Sequence, residues 1–292
     1  MVSMTDTELF QAVTANKLGH LKPHLKRLMK PAVRVTVARG RGKLAAGSSR
    51  VGGLPDMPAN AQWPTVDGIP LMFAGQFDLR ALSRFKAAKL LPKKGLLSFF
   101  FDGMLTGYDR GEAPDRSRVI YTDTSKVETL KLSPPTTVRS PFAVYREAPL
   151  ALESTWTLPE FEEIDGQECP TIPSIEPILQ TMRDRNNYPK LRRKIRGKHI
   201  GSKLFGYADG VQGGEIRFEA VLKQDRNKRF RREDEGWANG KRLVREMRDL
   251  SLLFQSAMGV TWGGMGVVYF WIRHQDLENG RFDRAFAQLQ ST

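Results

Sequence analysis

Residues able to do chemistry are few in this chain and poorly spaced for it. Cys169 and His199 form the one Cys/His combination a nucleophilic mechanism would use, yet no third member and no recognised motif surrounds them. His20 and His24 have the spacing of helical neighbours, as metal ligands often do. Pro23 intervenes, however, and no acidic ligand follows, so a solvated helical surface is expected and no metal site. Glu160, Glu162, Glu163 and Asp165 gather enough carboxylate to hold a cation, but a loop meeting the protein's own basic surface accounts for them without one. Gly47 to Gly53 has the glycine content of a phosphate-binding loop. It lacks the Gly-Lys-Ser/Thr ending and runs into Pro55 rather than a helix, so a structural turn is the preferred reading.

Asp209 and Gln212 flank Gly210 and would suit a ligand. The alternative is structural, with Asp209 bonding turn amides and Gln212 satisfying buried backbone, because buried polar groups nearly always find partners. Gln76 and Gln255, each ending an apolar run, invite the same structural reading. No cofactor is implied, and the expectation is a protein that is not an enzyme.

The elements that carry these residues are clearer than the residues' chemistry. The stretch from Leu253 to Ile272 reads as two apolar strands joined by a glycine-rich turn. Val268, Phe270 and Ile272 alternate with Val267, Tyr269 and Trp271, and a strand apolar on both sides must be covered on both faces. The same grammar occurs earlier, where Pro70 to Leu79 precedes the strand Leu96 to Phe101. Upstream of each, Ser49-Arg50-Val51-Gly52-Gly53-Leu54-Pro55-Asp56 has a counterpart in Ser202-Lys203-Leu204-Phe205-Gly206-Tyr207-Ala208-Asp209. Units this long do not form a solenoid, so the pattern predicts pseudo-twofold duplication within one globular body.

In chain order, Thr5 to Lys30 predicts helix, with Thr5 as N-cap and Gly19 and Pro23 dividing it in two. Ala32 to Val37 alternates as a strand, and Trp63 is expected as a packed anchor. A short helix fits between Leu79 and Lys89; further antiparallel strands are expected at Arg118–Tyr121, Phe142–Tyr145 and Leu150–Leu158. The proline-rich passage from Pro159 to Pro177 marks a seam between halves. A helix between Ser174 and Arg196 is expected to place Ile178, Leu179 and Met182 on its apolar side and to be limited or interrupted by Pro189. Phe282, Ala285, Phe286 and Leu289 have the spacing of a C-terminal helix.

With 292 residues and 40% hydrophobic content the chain can bury a substantial core. No apolar run reaches the roughly 18 residues that a membrane crossing needs, and Met1 to Lys17 lacks the pattern of a signal peptide. With a single cysteine, a cytoplasmic location is expected and no membrane insertion. The net charge of +14 favours an acidic partner, whether nucleic acid, anionic membrane or acidic protein.

Taken in order, Gly52-Gly53-Leu54-Pro55, Trp63-Pro64, Pro70-Leu71-Met72-Phe73, Gln76-Phe77-Asp78-Leu79, Leu91-Pro92, Gly95 to Phe100, Gly206-Tyr207-Ala208-Asp209 with Val211-Gln212, Leu252 to Gln255, and Trp262-Gly263 with Gly266 to Phe270 resemble the YwqG-like family of bacterial proteins. The match runs from about Ser48 to Gln290. Ala208 stands where a proline is common, and Gly264 where an aspartate commonly follows the Trp-Gly pair. The resemblance implies an α+β fold with mainly antiparallel sheets and no established catalytic residues. Some relatives look like immunity proteins encoded beside bacterial toxins, secreted nucleases among them.

The expected architecture is therefore α+β: mainly antiparallel curved sheets from two divergent pseudo-repeat halves, with flanking helices. Residues 1–47 form an N-terminal helical segment and strand, 48–173 the first half, and 174–292 the second half with a charged insertion near 213–249. The family residues Gly53, Pro55, Trp63, Gln76, Asp78, Gly206, Tyr207, Asp209, Gln212, Gln255, Trp262, Gly263 and Gly266 read as structural. Within the insertion, Arg229, Arg231, Arg232, Lys241 and Arg242 beside Trp237 combine basic charge with an aromatic anchor, the composition of a binding surface for an acidic protein. The functional expectation is an immunity protein that neutralises a cognate toxin by occluding its active or substrate-binding face. The alternative is nucleic-acid binding through the basic segments Arg183 to Lys203 and Lys223 to Arg248.

Overall fold

The computed structural model describes residues 5–39, 44–58, 60–102, 116–123, 130–131, 147–160, 163–164, 167–168, 178–211, 216–224, 245–257 and 266–290. Its centre is a ten-stranded antiparallel sheet built from β1 (Lys30–Val37), β2 (Arg50–Val51), β3 (Met72–Asp78), β4 (Leu96–Phe101), β5 (Ser117–Thr122), β6 (Ala148–Thr157), β7 (Ser202–Leu204), β8 (Leu250–Ser256), β9 (Val267–Arg273) and β10 (Phe286–Gln290). The spatial order is β10-β9-β8-β7-β1-β6-β2-β3-β4-β5. That order is a palindrome of the two repeats. β2 to β5 run out to one edge and β7 to β10 to the other, while β1 and β6 pair at the middle from Lys30 opposite Thr157 to Val37 opposite Leu150.

Each repeat gives its first strand to the other. β1 precedes the first half yet pairs with β7 of the second, and β6 precedes the second half yet pairs with β2 of the first. The sheet curls until its edges approach, with the ring of Tyr121 of β5 tilted against that of Phe282, next to β10, at a centroid distance of 6.0 Å, making an almost closed barrel.

Curling puts one face of every strand inside. There Phe99 of β4 meets its symmetry counterpart Phe270 of β9 with ring centroids 5.0 Å apart, and Phe77 and Phe254 complete the aromatic cluster at 4.9 Å. The outer face is covered in three patches. Val267, Tyr269 and Trp271 lie under α5 (Ile216–Gln224), while Phe73 and Phe100 pack with Met57, Val66 and Leu71. Trp156 lies under a helical layer of α1 (Asp6–Ala15), α2 (Lys22–Leu28) and α4 (Met182–Arg196). The double alternation of β9 is therefore real: Val268, Phe270 and Ile272 face the interior cluster and the other three face the outer one.

Local chemistry sets the ends of these helices. Thr5 caps α1 in a full capping box with Glu8, and Pro23 stands in the first turn of α2, where its missing N–H costs nothing. Pro23 thus starts the second helix. Asp78 caps α3 (Leu79–Leu82) through the amide of Arg80 at 2.9 Å.

Four expectations are corrected. The C-terminal segment is a 3₁₀ turn (Phe282–Arg284) and then strand β10, because pairing with β9 outweighs the helical spacing of its apolar residues. Pro189 lies inside α4 and does not limit it. Met182 is exposed at the start of that helix, and the buried positions are Asp184, Tyr188, Leu191 and Ile195. The start of the charged insertion is α5, whose Ile216, Phe218, Ala220 and Val221 are core. The expected strand at Phe142–Tyr145 lies outside the described residues.

Phe270 is completely buried and sits where the two halves meet. Phe270→Ala is expected to cost roughly 3–5 kcal/mol, measured as a lowered midpoint in chemical denaturation; an unchanged midpoint would remove the claim that this contact is central.

Candidate functional site

The duplicated turns that follow β2 and β7, with the strands that enter them, carry four of the seven buried charged side chains among the described residues: Arg50, Asp56, Lys203 and Asp209. In each repeat a short strand enters a left-handed pair, Gly52-Gly53 with φ 63° and 64°, and Phe205-Gly206 with φ 61° and 75°. Gly206 has no room for a side chain, since a Cβ there would lie 2.4 Å from Thr157 Oγ1, the hydroxyl that accepts the Tyr207 amide at 3.0 Å. The turn ends on an aspartate, Asp56 or Asp209. A fully buried glutamine on the neighbouring strand holds it. Gln76 accepts the Asp56 amide at 2.8 Å and donates to Ser48 O at 2.9 Å; Gln255 accepts the Asp209 amide at 2.9 Å and donates to Gly201 O at 2.7 Å. The serine before each basic residue completes the copy, Ser49 accepting the Asp78 amide and Ser202 the Ala257 amide, both at 2.9 Å.

On this common frame the two repeats place different charges. In the first, Arg50 is buried against Asp56 and Glu147, and those carboxylates also accept the amides of Gly47 at 2.7 Å and Leu44 at 3.1 Å. One cation meets two carboxylates, and the loop from Leu44 to Ser49 closes over them. In the second, Lys203 donates to Asp209 Oδ2 at 2.5 Å and Arg192 Nη2 to Asp209 Oδ1 at 3.3 Å. Arg192 is anchored further by Glu160 at 2.5 Å and Leu158 O at 3.3 Å. Arg34, opposite Lys203 in the β1–β7 register, donates to Ile195 O at 2.8 Å. Arg34, Arg192, Lys203 and Asp209 line a cleft of about 210 Å³ between α4 and the β6–β1–β7 strands, with Arg196 on its wall and Gly197 and Gly201 also lining it.

Burial raises the pKa of Asp209, but the Lys203 ammonium and the Arg192 and Arg196 guanidiniums outweigh it and hold the carboxyl below its usual range. Burial pushes the Lys203 ammonium down, and Asp209 offsets part of that.

Several expected roles change hands. Asp209 takes ion pairs instead of turn amides, and Glu160 accepts the Gly210 amide at 3.1 Å. The Val211 amide goes to Gln290 at 2.9 Å, whereas Gln212 lies outside the described residues. Trp63 is the expected anchor, donating to Leu71 O at 2.9 Å with its ring edge-on to Phe100. Tyr207 donates to Leu28 O at 2.8 Å and ties the turn to α2. Gly53, Pro55 and Gly266 lie in or beside the core strands and turns, while Trp262, Gly263, Cys169 and the binding residues Arg229, Arg231, Arg232, Trp237, Lys241 and Arg242 lie outside the described residues. His20 reaches Asp184 at 3.2 Å, and among the described residues no His/Cys/Asp/Glu group is arranged to hold a metal. Arg34 and Arg192 were not singled out by sequence, because nothing in a run of basic residues marks which of them turns inward.

The profile of the family described as "Domain of unknown function (DUF1963)" matches residues 49–291, and the chain belongs to that family. A search of the curated proteins found no match. The matched region begins after β1, so the strand at the centre of the sheet precedes it, while its symmetry mate β6 lies within.

A carboxyl with a depressed folded pKa contributes stability above its unfolded value and loses it as pH falls through the folded one. The unfolding temperature should therefore drop as pH falls below about 4, with a shallower slope in Asp209→Asn, where this group no longer titrates. Asp209→Ala, which leaves Lys203 buried without its carboxylate, is expected to cost roughly 3–5 kcal/mol at neutral pH. A change below about 0.5 kcal/mol by denaturant unfolding would refute the structural role given to the pair.

Proposed function

We propose that this DUF1963 protein is a non-enzymatic binding protein, an immunity protein that neutralises a cognate bacterial toxin by covering its active or substrate-binding face. The observation that carries the reading is where the charge lies. The helical layer, residues 5–30 and 181–198, holds thirteen Lys and Arg against three acidic residues, a net +10 of the chain's +14. Two of the three acids, Asp6 and Glu8, sit in the first turn of α1, and the third, Asp184, is buried in α4. Arg183, Lys190, Arg193, Lys194 and Lys198 are exposed along α4 and just beyond it, with Lys22, Lys26 and Arg27 exposed on α2.

A predominantly positive surface of this kind attracts an acidic partner from a distance and disfavours basic ones. The resemblance to YwqG-like proteins, some of which look like immunity proteins, narrows the acidic partner to a toxin. The segment with Arg229, Arg231, Arg232, Trp237, Lys241 and Arg242 supplies the aromatic and arginine anchors that concentrate binding energy at interface centres. A cytoplasmic location fits such a role, since there the toxin would be met inside the cell that makes it. No helix among the described residues is long and apolar enough to cross a membrane.

The helical layer also favours one rival reading, because a strongly basic face would equally meet a phosphate backbone. The two separate experimentally. Reversal of Arg229, Arg231 and Arg232 to Glu should leave the thermal transition nearly unchanged, weaken binding to the cognate toxin, and abolish protection of cells that express it. Survival of both affinity and protection would sink the insertion as the binding site. Strong binding of unrelated duplex DNA by the wild type near 0.15 M ionic strength, with a steep salt dependence, would transfer the assignment to nucleic acid.

A further inference from the structure

We infer that the cleft over Lys203 is a binding site for a small tetrahedral oxyanion of the phosphate type. This does not rest on the partner reading above. It comes from comparing the two copies of one frame. Gln76 and Gln255, Asp56 and Asp209, and Ser49 and Ser202 make the same hydrogen bonds in both, so any difference between the copies is a difference in what has been built on them. The first copy is closed, with Arg50 facing two carboxylates under its own loop. The second is a cleft lined by Arg34, Arg192, Arg196 and Lys203, and the carboxylates that touch these cations are Asp209 and Glu160. That leaves a surplus of two positive charges, the charge of a phosphate monoester reversed.

The donors are fixed before any ligand arrives. Arg192 is held at Leu158 O, Glu160 and Asp209, and Arg34 at Ile195 O, so ordering them costs little on binding. Arg196 differs: its Nε is buried and makes no hydrogen bond to any described group, and a guanidinium with a free edge beside other cations matches a phosphate oxygen pair. Glu153 lies across from Arg34 in the β1–β6 register but not on the cleft wall. At about 210 Å³ the cleft is below the ~300–1,000 Å³ of sites for drug-sized ligands, which suits an ion or the phosphate end of a larger molecule. A Cβ at Gly197 or Gly201 would meet nothing within 4 Å, so the walls there are low.

Inorganic phosphate is the probe, titrated calorimetrically into the full chain at constant ionic strength, with thermal unfolding followed in parallel. One saturable site is expected, with Kd about 1 mM or tighter and with acetate binding at least tenfold more weakly. Arg196→Ala should lose at least tenfold in affinity, whereas Lys194→Ala, exposed on the same helix, should keep it; each variant's unfolding transition is recorded so that affinity is read on folded protein. Phosphorus NMR of phosphate with the wild type gives a second readout, a line broadening that excess phosphate removes. Absence of saturation, acetate binding as well as phosphate, or equal loss in Arg196→Ala and Lys194→Ala would each overturn the site.

Discussion

Everything in this barrel depends on two buried glutamine side chains. A strand that leaves the sheet after two or three residues exposes backbone donors and acceptors to an apolar interior, where each unpaired group costs about 1–3 kcal/mol. Gln76 and Gln255 answer this with one amide each, accepting from the aspartate's N–H and donating back to the carbonyl before the short strand. That closes the turn across the sheet. It also explains why β2 and β7 can be so short: the side chains make the hydrogen bonds that a longer ladder would otherwise supply.

Short second strands in turn allow the exchange at the middle of the sheet. Were β2 and β7 long, they would fill the centre themselves. Because they are not, β1 and β6 pair with each other over eight residues and each borders the other repeat's turn. The two halves cannot be separated without breaking that central ladder and the Phe99–Phe270 contact beneath it. Duplication here has produced one cooperative unit.

Sequence made the double-faced strand β9 legible because both of its alternating sets, Val268-Phe270-Ile272 and Val267-Tyr269-Trp271, are apolar, and only burial on two sides accommodates that. The equivalence of Ser49–Asp56 with Ser202–Asp209 was legible for a similar reason, since a glycine at the same place between serine and aspartate, Gly53 or Gly206, marks the same left-handed turn. What stayed hidden depends on distance along the chain. Phe286 to Gln290 has a helix's apolar spacing, and only its neighbour β9 makes it a strand. Gln76 and Gln255 read as buried polar residues, but their targets on the turns lie 20 and 46 residues away. The cleft was the least legible part: Arg34 and Arg192 meet Lys203 and Asp209 from three separate stretches of chain, and composition reports only that the whole is basic.

The difference between the two copies then has a physical meaning that stability alone does not supply. A buried ion pair is a poor stabiliser, because desolvating both groups costs about as much as their attraction returns, and an apolar pair of the same volume often does as well. The first repeat follows the economical pattern, sealing one arginine under two carboxylates and two loop amides. The second keeps a lysine buried on an open cleft, holds its aspartate with a second cation, and adds two further arginines to the wall. Burial opposes the charge of Lys203, and each additional cation works against it. The first repeat has the same glutamine and turn without these additions. On one duplicated frame, then, the first repeat closes its cation in and the second gathers four cations and one carboxylate along a cleft.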